Sequence, residues 1–101
     1  MAAYLVVHVD VTDPVRYETY KAMAPPSIRQ YGGRYLTRGG PAEVLEGDWE
    51  PKRLVLLEFP SAEQARAFWH SPEYAEAKAL RMATATSEMV LLEGVDAQPW
   101  E

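Results

Sequence analysis

Apolar side chains on both faces of the longest predicted strands constrain this chain more than any other feature. In the first strand, YLVVHVDV, Leu5, Val7 and Val9 point to one face, because side chains alternate along a strand. Tyr4 and Val6 point to the other face. The same two-sided pattern recurs in two later segments, 53–59 (RLVLLEF) and 87–95 (SEMVLLEGV). One layer of helices covers only one face, so the sequence predicts a two-fold homodimer through the other face.

The order of predicted elements is strand, helix, strand, strand, paired helices, strand. Two helices begin at a capping residue followed by proline, Asp13-Pro14 and Ser71-Pro72, and the helix between them begins at a capping box that starts with Ser61. This order is typical of the α+β ferredoxin-like fold, a split βαβ unit with an antiparallel-dominated sheet and helices on one face. We predict a single domain with its core over 3–95 and a loosely held tail over 96–101.

Turn signals and prolines predict the finer layout. Gly39-Gly40 predicts a hairpin between strands over 34–38 (RYLTR) and 42–46 (AEVLE), because glycine accepts the positive φ that such turns need. Pro25-Pro26 interrupts a helical pattern that runs from Pro14 to Tyr31, so we expect a kink or two short helices there. The remaining predicted bounds are 4–11, 53–59 and 87–95 for strands, and 61–70 and 71–85 for the paired helices.

Composition argues against several classes of partner and chemistry. With 15 acidic and 10 basic residues the chain has a net charge of -5, which argues against nucleic acid or an anionic membrane as a partner. It has no cysteine, which removes disulfides, thiolate metal ligands and cysteine nucleophiles. We see no charged leader and no apolar run of membrane-spanning length, so we expect a cytoplasmic protein.

A series of short motifs resembles one bacterial family. They follow the family's order: Asp13-Pro14, Tyr31-Gly32-Gly33, Arg38-Gly39-Gly40, Glu58-Phe59-Pro60-Ser61, Ser71-Pro72-Glu73-Tyr74 and Glu93-Gly94. On these motifs the chain resembles the domain-of-unknown-function family DUF1330 over essentially residues 3–95. The resemblance implies a protomer of the dimeric α/β-barrel superfamily, which includes cofactor-free monooxygenases, muconolactone-isomerase-like enzymes and haem peroxidases. It implies no particular activity for the family itself.

Three residues are candidates for catalysis. His8 in the first strand is a candidate general base near neutral pH, or a hydrogen-bonded residue of the barrel or interface. Glu58 lies in an apolar strand, where burial would raise its pKa and suit it to proton transfer. The alternative for Glu58 is an ion pair with Arg38, Arg53 or Arg81. Arg38 is a candidate clamp for a carboxylate or enolate, or a structural ion pair that fixes the hairpin.

A second group of residues predicts a small-molecule pocket between the helices and the sheet. Tyr74 and Arg81 lie seven residues apart and so share one helix face. The candidate substrate-binding residues are Tyr17, Tyr20, Trp69, Ser71, Tyr74 and Arg81. Together they suit a flat apolar or aromatic ligand with a few polar anchors, although aromatic residues at this spacing also build ordinary cores. Ser71 is in addition the predicted cap of its helix.

We expect neither a metal nor an organic cofactor. The two histidines, His8 and His70, are distant in sequence, and no other residues provide a convergent ligand set. Only His70 lies near a helix, where an axial haem ligand is required.

Two functions from different classes are compatible with these residues. One is a cofactor-independent monooxygenase- or isomerase-like enzyme, in which His8 or Glu58 removes a proton next to a carbonyl and Arg38 stabilises the oxyanion. The other is a non-catalytic dimer with a ligand-binding or structural role. The polar residues directed toward one helix–sheet space favour a binding pocket.

Overall fold

The fold is a single antiparallel sheet covered on one face by helices, in a computed structural model that describes residues 1–95. The strands of these residues lie in the order β2-β3-β1-β4, and every neighbouring pair is antiparallel. This arrangement confirms the predicted α+β ferredoxin-like fold. The elements are β1 Ala3–Val11, α1 Pro14–Gln30, β2 Arg34–Arg38, β3 Arg53–Phe59, α2 Ala62–Trp69, α3 Pro72–Thr84 and β4 Ala85–Glu93.

Each helix begins at the capping residue that the sequence predicts. The Asp13 carboxylate accepts a hydrogen bond from the Arg16 amide at 3.2 Å, so it satisfies one of the free amides of α1. The Ser61 and Ser71 hydroxyls cap α2 and α3 in the same way, each accepting an amide hydrogen bond at 3.1 Å. These local bonds fix where the helices start and therefore how their faces meet the sheet.

The two faces of the sheet differ as the alternation predicts. Val7 and Val9 on β1 and Leu57 on β3 are buried beneath the helices. On the opposite, helix-free face, Val90 is 55 % exposed and Leu92 is 52 % exposed in the protomer. The protomer therefore leaves an apolar surface uncovered on that face.

The predicted hairpin between 34–38 and 42–46 is wrong. Residues 42–46 form no strand, and β2 pairs directly with β3, with Tyr35 opposite Leu57. The physical reason is burial: β3 offers three large apolar residues on one face, whereas the large apolar residues of 42–46 are the consecutive Val44 and Leu45, which alternation would send to opposite faces. Leu45 is accordingly 85 % exposed.

The helix α1 continues through Pro25-Pro26 without dividing into two, contrary to one of the two expected outcomes. A proline lacks the amide that bonds to the carbonyl four residues earlier, so Pro25 leaves the carbonyl of Lys21 without its helical partner. Burial of Ser27 and Ile28 beyond the prolines holds the last turns against the core.

The last helix and strand meet slightly earlier than predicted, at Thr84 and Ala85, and β4 ends at Glu93. The predicted loose tail, 96–101, lies outside the described residues. Over 1–95, the helices are too short or too polar to cross a bilayer.

The turn at Gly33 yields a stability prediction. A Cβ built there would lie 2.6 Å from the ring of Phe59 and 2.9 Å from Ile28 Cγ2, and both side chains belong to the core. We expect Gly33→Ala to lower the free energy of unfolding by about 1–3 kcal/mol through overpacking, measured by urea denaturation.

The matched control is Gly40→Ala, where the nearest atom, Thr37 Oγ1, lies 3.3 Å from the added Cβ. We expect a change within about 0.5 kcal/mol there. Equal effects of the two substitutions would contradict the packing assigned to Gly33.

Candidate functional site

The central space between helices and sheet is a small cavity surrounded by basic and phenolic side chains. It lies under α1 and α3, above the middle strands, and has a volume of about 30 Å³. That is room for ordered water or for a group of a few atoms. We call it the inner cavity; its polar lining consists of Tyr17, Tyr20, Lys21, Tyr35, Arg38, Arg53, Tyr74 and Arg81.

A chain of hydrogen bonds crosses this cavity between two helices. The hydroxyls of Tyr20 on α1 and Tyr74 on α3 lie 2.9 Å apart. Arg81 Nε donates a hydrogen bond to the Tyr74 hydroxyl at 3.2 Å, because both residues lie on the same face of α3. Tyr74 is 1 % exposed and Arg81 is 4 % exposed, so this cluster is shielded from solvent.

The inner cavity has a net positive lining with neutral phenol groups beside the cations. Burial, together with the neighbouring Tyr74, raises the pKa of Tyr20, and burial raises the pKa of Tyr35, so both phenols keep their protons for donation. Burial alone lowers the pKa of Arg81, but the oxygens of Tyr74 and Tyr20 outweigh it and the pKa is raised. No carboxylate lines the cavity within residues 1–95, and Arg81 forms no ion pair there.

Two further arginines lie around the same cavity. Arg38 stacks over the Tyr35 ring at 4.6 Å and donates to the Lys21 carbonyl, the one that Pro25 leaves free. Arg53 lies over the Tyr17 ring at 5.7 Å, and its buried Nε has no hydrogen-bond partner in the described chain. Arg38 therefore connects the middle of α1 to β2 and, being exposed, lies at the mouth of the cavity.

A second, larger space opens beside the inner cavity. It measures about 370 Å³ and lies between α2, α3 and the helix-facing side of β4. Arg81 and Met89 line both spaces, which are therefore adjacent. We call it the outer cleft; its lining is Leu5, Ala65, Arg66, Trp69, His70, Arg81, Met82, Ser87, Met89 and Leu91.

The three predicted catalytic residues are not brought together. His8 and Glu58 lie on the helix-free face, whereas Arg38 lines the inner cavity on the other side of the sheet. His8 Nε2 accepts a hydrogen bond from the Lys52 amide at 3.0 Å. Glu58 does form an ion pair, but with Arg34 at 2.7 Å instead of the three arginines considered from the sequence.

The structure also divides the predicted substrate-binding residues. Tyr17, Tyr20, Tyr74 and Arg81 meet in the inner cavity. Trp69 lines the outer cleft instead. Ser71 caps α3, donates to the Phe68 carbonyl at 2.7 Å and lines neither space.

Sequence reasoning missed Lys21, Tyr35, Arg53 and Ser87 as lining residues. Strand parity was the available signal for Arg53, because it shares the alternation of Val55 and Leu57 and so faces the helices.

In the described residues no group of three histidine, aspartate or glutamate side chains is placed to hold a metal ion.

The chain belongs to the family described as domain of unknown function (DUF1330), whose model matches residues 2–95. No curated protein matches it. Because the function of this family is unknown, membership does not indicate an activity, which has to be inferred from the site.

Solved structures of low sequence identity share the fold. A protein of unknown function from Rhodopseudomonas palustris is 19 % identical with a TM-score of 0.76, over 94 % of this chain and 83 % of that one. A dimeric ferredoxin-like protein of unknown function from Jannaschia is 17 % identical with a TM-score of 0.70, over 93 % and 100 %. SnoaB, a cofactor-independent oxygenase from Streptomyces nogalater, is 15 % identical with a TM-score of 0.64, over 98 % of each chain.

The contact between Arg38 and α1 yields a coupling prediction. We expect Arg38→Met to lower the free energy of unfolding by about 0.5–1 kcal/mol, because it removes the donor to the Lys21 carbonyl. In a Pro25→Ala background that loss should fall by at least half, because the restored amide bonds to the same carbonyl. Urea denaturation of the four proteins of this double-mutant cycle measures the coupling.

Pro26→Ala is the control background, because its restored amide reaches the carbonyl of Ala22 and not that of Lys21. There the cost of Arg38→Met should be unchanged. An identical cost in all three backgrounds would show that Arg38 does not serve the carbonyl freed by Pro25.

Proposed function

We propose that this protein binds a small anionic molecule in the space between its helices and its sheet, and that it does so as a homodimer. The observation that carries the proposal is the Arg81 guanidinium, 4 % exposed and without a carboxylate partner in residues 1–95. A buried charge is unfavourable unless it is paired and hydrogen-bonded. A ligand carboxylate or enolate supplies the missing negative charge.

The surroundings of Arg81 support recognition of an anion over simple structural packing. The whole chain is acidic, with a net charge of -5, yet the inner cavity collects Arg38, Arg53 and Lys21 around Arg81. Neutral phenols add donors beside these cations, and Tyr20 lies within hydrogen-bond distance of Tyr74. A planar anion matches the fork geometry of arginine in a way that water does not.

A catalytic role is the second candidate, favoured by the same convergence of donors. Arg81 and Tyr20 suit a site that stabilises an oxyanion, and Arg38 at the mouth adds positive charge. SnoaB, which shares the fold, is a cofactor-independent oxygenase. However, His8 and Glu58 lie across the sheet from the cavity of their own protomer, so binding is favoured over proton abstraction by either residue.

The anion proposal predicts a charge-dependent affinity. Benzoate should bind saturably and at least about tenfold more tightly than its neutral isostere benzamide, because a charge-assisted hydrogen bond contributes about 1.5–3 kcal/mol. Arg81→Met should weaken benzoate binding by a similar factor, while Arg81→Lys keeps part of the affinity. Isothermal titration calorimetry measures the dissociation constants.

The control is Arg16→Met, which removes an exposed arginine whose side chain is 59 % accessible. Circular dichroism verifies that each variant is folded before titration. Equal affinities for benzoate and benzamide, or unchanged benzoate binding in a folded Arg81→Met protein, would contradict the proposal.

The dimer is proposed from the helix-free face of the sheet. Its middle row places Val6 of β1 between Leu56 of β3 and Val90 of β4, all in register. The flanking rows carry charge: Glu58 with Arg34 at one end, and the pair of His8 with Glu88 at the other. An apolar centre with a charged rim is the anatomy of a protein interface. The Jannaschia protein of the same fold is dimeric.

Replacing Val90 by lysine tests this interface. Because Val90 is 55 % exposed in the protomer, Val90→Lys should leave the protomer folded while placing a charge in the apolar middle row of the interface. We expect the wild-type chain to sediment as a dimer and Val90→Lys as a monomer in analytical ultracentrifugation.

The matched control is Val15→Lys on α1, where the valine is 80 % exposed and lies away from the sheet. That variant should remain a dimer. A wild-type monomer, or a Val90→Lys protein that is still fully dimeric, would overturn the interface.

A further inference from the structure

We propose that the outer cleft holds the body of the ligand, and that the ligand is an aromatic carboxylate with a hydroxyl or keto group on its ring. This inference rests on the proposed function, because it takes Arg81 as the point where the carboxylate binds. It adds the chemical class of the ligand and a recognition residue, Ser87, to the anion site.

The sizes of the two spaces support this division of the ligand. The inner cavity, at about 30 Å³, accommodates a carboxylate-sized group and no ring. The outer cleft, at about 370 Å³, falls in the range of small-molecule sites. A cavity of about 150 Å³ is enough for benzene, so one ring with substituents fits the cleft. Since Arg81 and Met89 line both spaces, a molecule can bind across their boundary.

The walls of the outer cleft favour a flat apolar body. Leu5, Leu91 and two methionines supply apolar surface, and methionine sulfur makes favourable contacts with aromatic rings. The Trp69 indole is held in place by Lys78, whose ammonium lies 3.7 Å from the ring centroid and donates to the Trp69 carbonyl at 2.9 Å. A positioned indole offers a ring face or edge to an aromatic ligand.

Ser87 gives the ligand its second polar group. Ser87 lies opposite the buried Val9 in the sheet register and therefore faces the helices. Its hydroxyl oxygen is buried and has no hydrogen-bond partner in the described residues. Such unpartnered buried groups are uncommon in native proteins and require a partner. A ring hydroxyl or carbonyl in the cleft satisfies it once the side chain rotates about χ1 toward the cleft, since serine both donates and accepts.

The rim of the cleft is compatible with an anionic ligand. Arg66 and His70 lie at its exposed edge, and no carboxylate lines it in the described part of the chain. Like the inner cavity, the cleft presents no negative charge that would repel a carboxylate on its way to Arg81.

The test compares a small acid with ring acids by calorimetry or by ligand-observed NMR. The probes are acetate, benzoate and the three hydroxybenzoate isomers. We expect benzoate to bind at least about tenfold more tightly than acetate, because the ring buries apolar area in the cleft. At least one hydroxybenzoate should bind about fivefold more tightly still, through the Ser87 hydroxyl.

Two variants of Ser87 separate the contributions of ring and hydroxyl. Ser87→Ala should abolish the advantage of the preferred hydroxybenzoate over benzoate. Ser87→Leu, which fills the cleft, should weaken benzoate by about tenfold or more and leave acetate unchanged. Thr86→Ala is the control, because Thr86 is the adjacent exposed residue on the other face of β4.

The outcomes distinguish this inference from the proposal beneath it. If acetate and benzoate bind equally and both depend on Arg81, the anion site stands and the cleft assignment is wrong. If the benzoate dissociation constant is unchanged in a folded Ser87→Leu protein, the ring lies elsewhere and the inference is overturned. If no carboxylate binds in an Arg81-dependent manner, the anion site itself fails.

Discussion

The hydrogen bonding of the buried Arg81 guanidinium is the interaction that organises the space between the helices and the sheet. It is held from α3 by the Tyr74 hydroxyl at 3.2 Å, and Tyr20 extends this contact to α1. Both phenols hydrogen-bond within this chain of contacts, but no carboxylate among residues 1–95 balances the charge of the guanidinium. We propose that a ligand anion supplies the missing counter-charge, which distinguishes this space from an ordinary aromatic core. In that proposal, the small inner cavity and the larger cleft beside it limit the shape of the ligand.

The alternation of side chains along each strand gives the two faces of the sheet different surroundings. Odd-numbered side chains of β1, such as Val7, lie beneath the helices and help to line the cationic inner cavity, whereas even-numbered ones, such as Val6, form the apolar helix-free face. A one-residue change of register would exchange the two sets, so the pairing of β1 with both neighbours fixes which side chains line the inner cavity and which form the proposed interface. The bond from Arg38 to the carbonyl freed by Pro25 secures the α1 side of the same cavity.

Local signals explain which features the sequence predicts well. Capping residues act over three positions, so helix starts such as Ser61 follow from sequence, and helical periodicity correctly places Tyr74 and Arg81 on one face. The hairpin at 42–46 fails because strand pairing is settled by burial across the whole sheet. The partner of Arg38 could not be foreseen, since it is a backbone carbonyl seventeen positions away.

The most direct test of the anion site is the NMR signal of the Arg81 Nε–H group during titration with benzoate. This proton faces the Tyr74 hydroxyl, so it reports on any anion that reaches the guanidinium. If an anion binds at Arg81, benzoate should produce a saturable shift of the Arg81 signal and leave that of the exposed Arg16 unchanged. An Arg81 signal that stays fixed while benzoate binds, or that moves no more than that of Arg16, would contradict an anion site at Arg81.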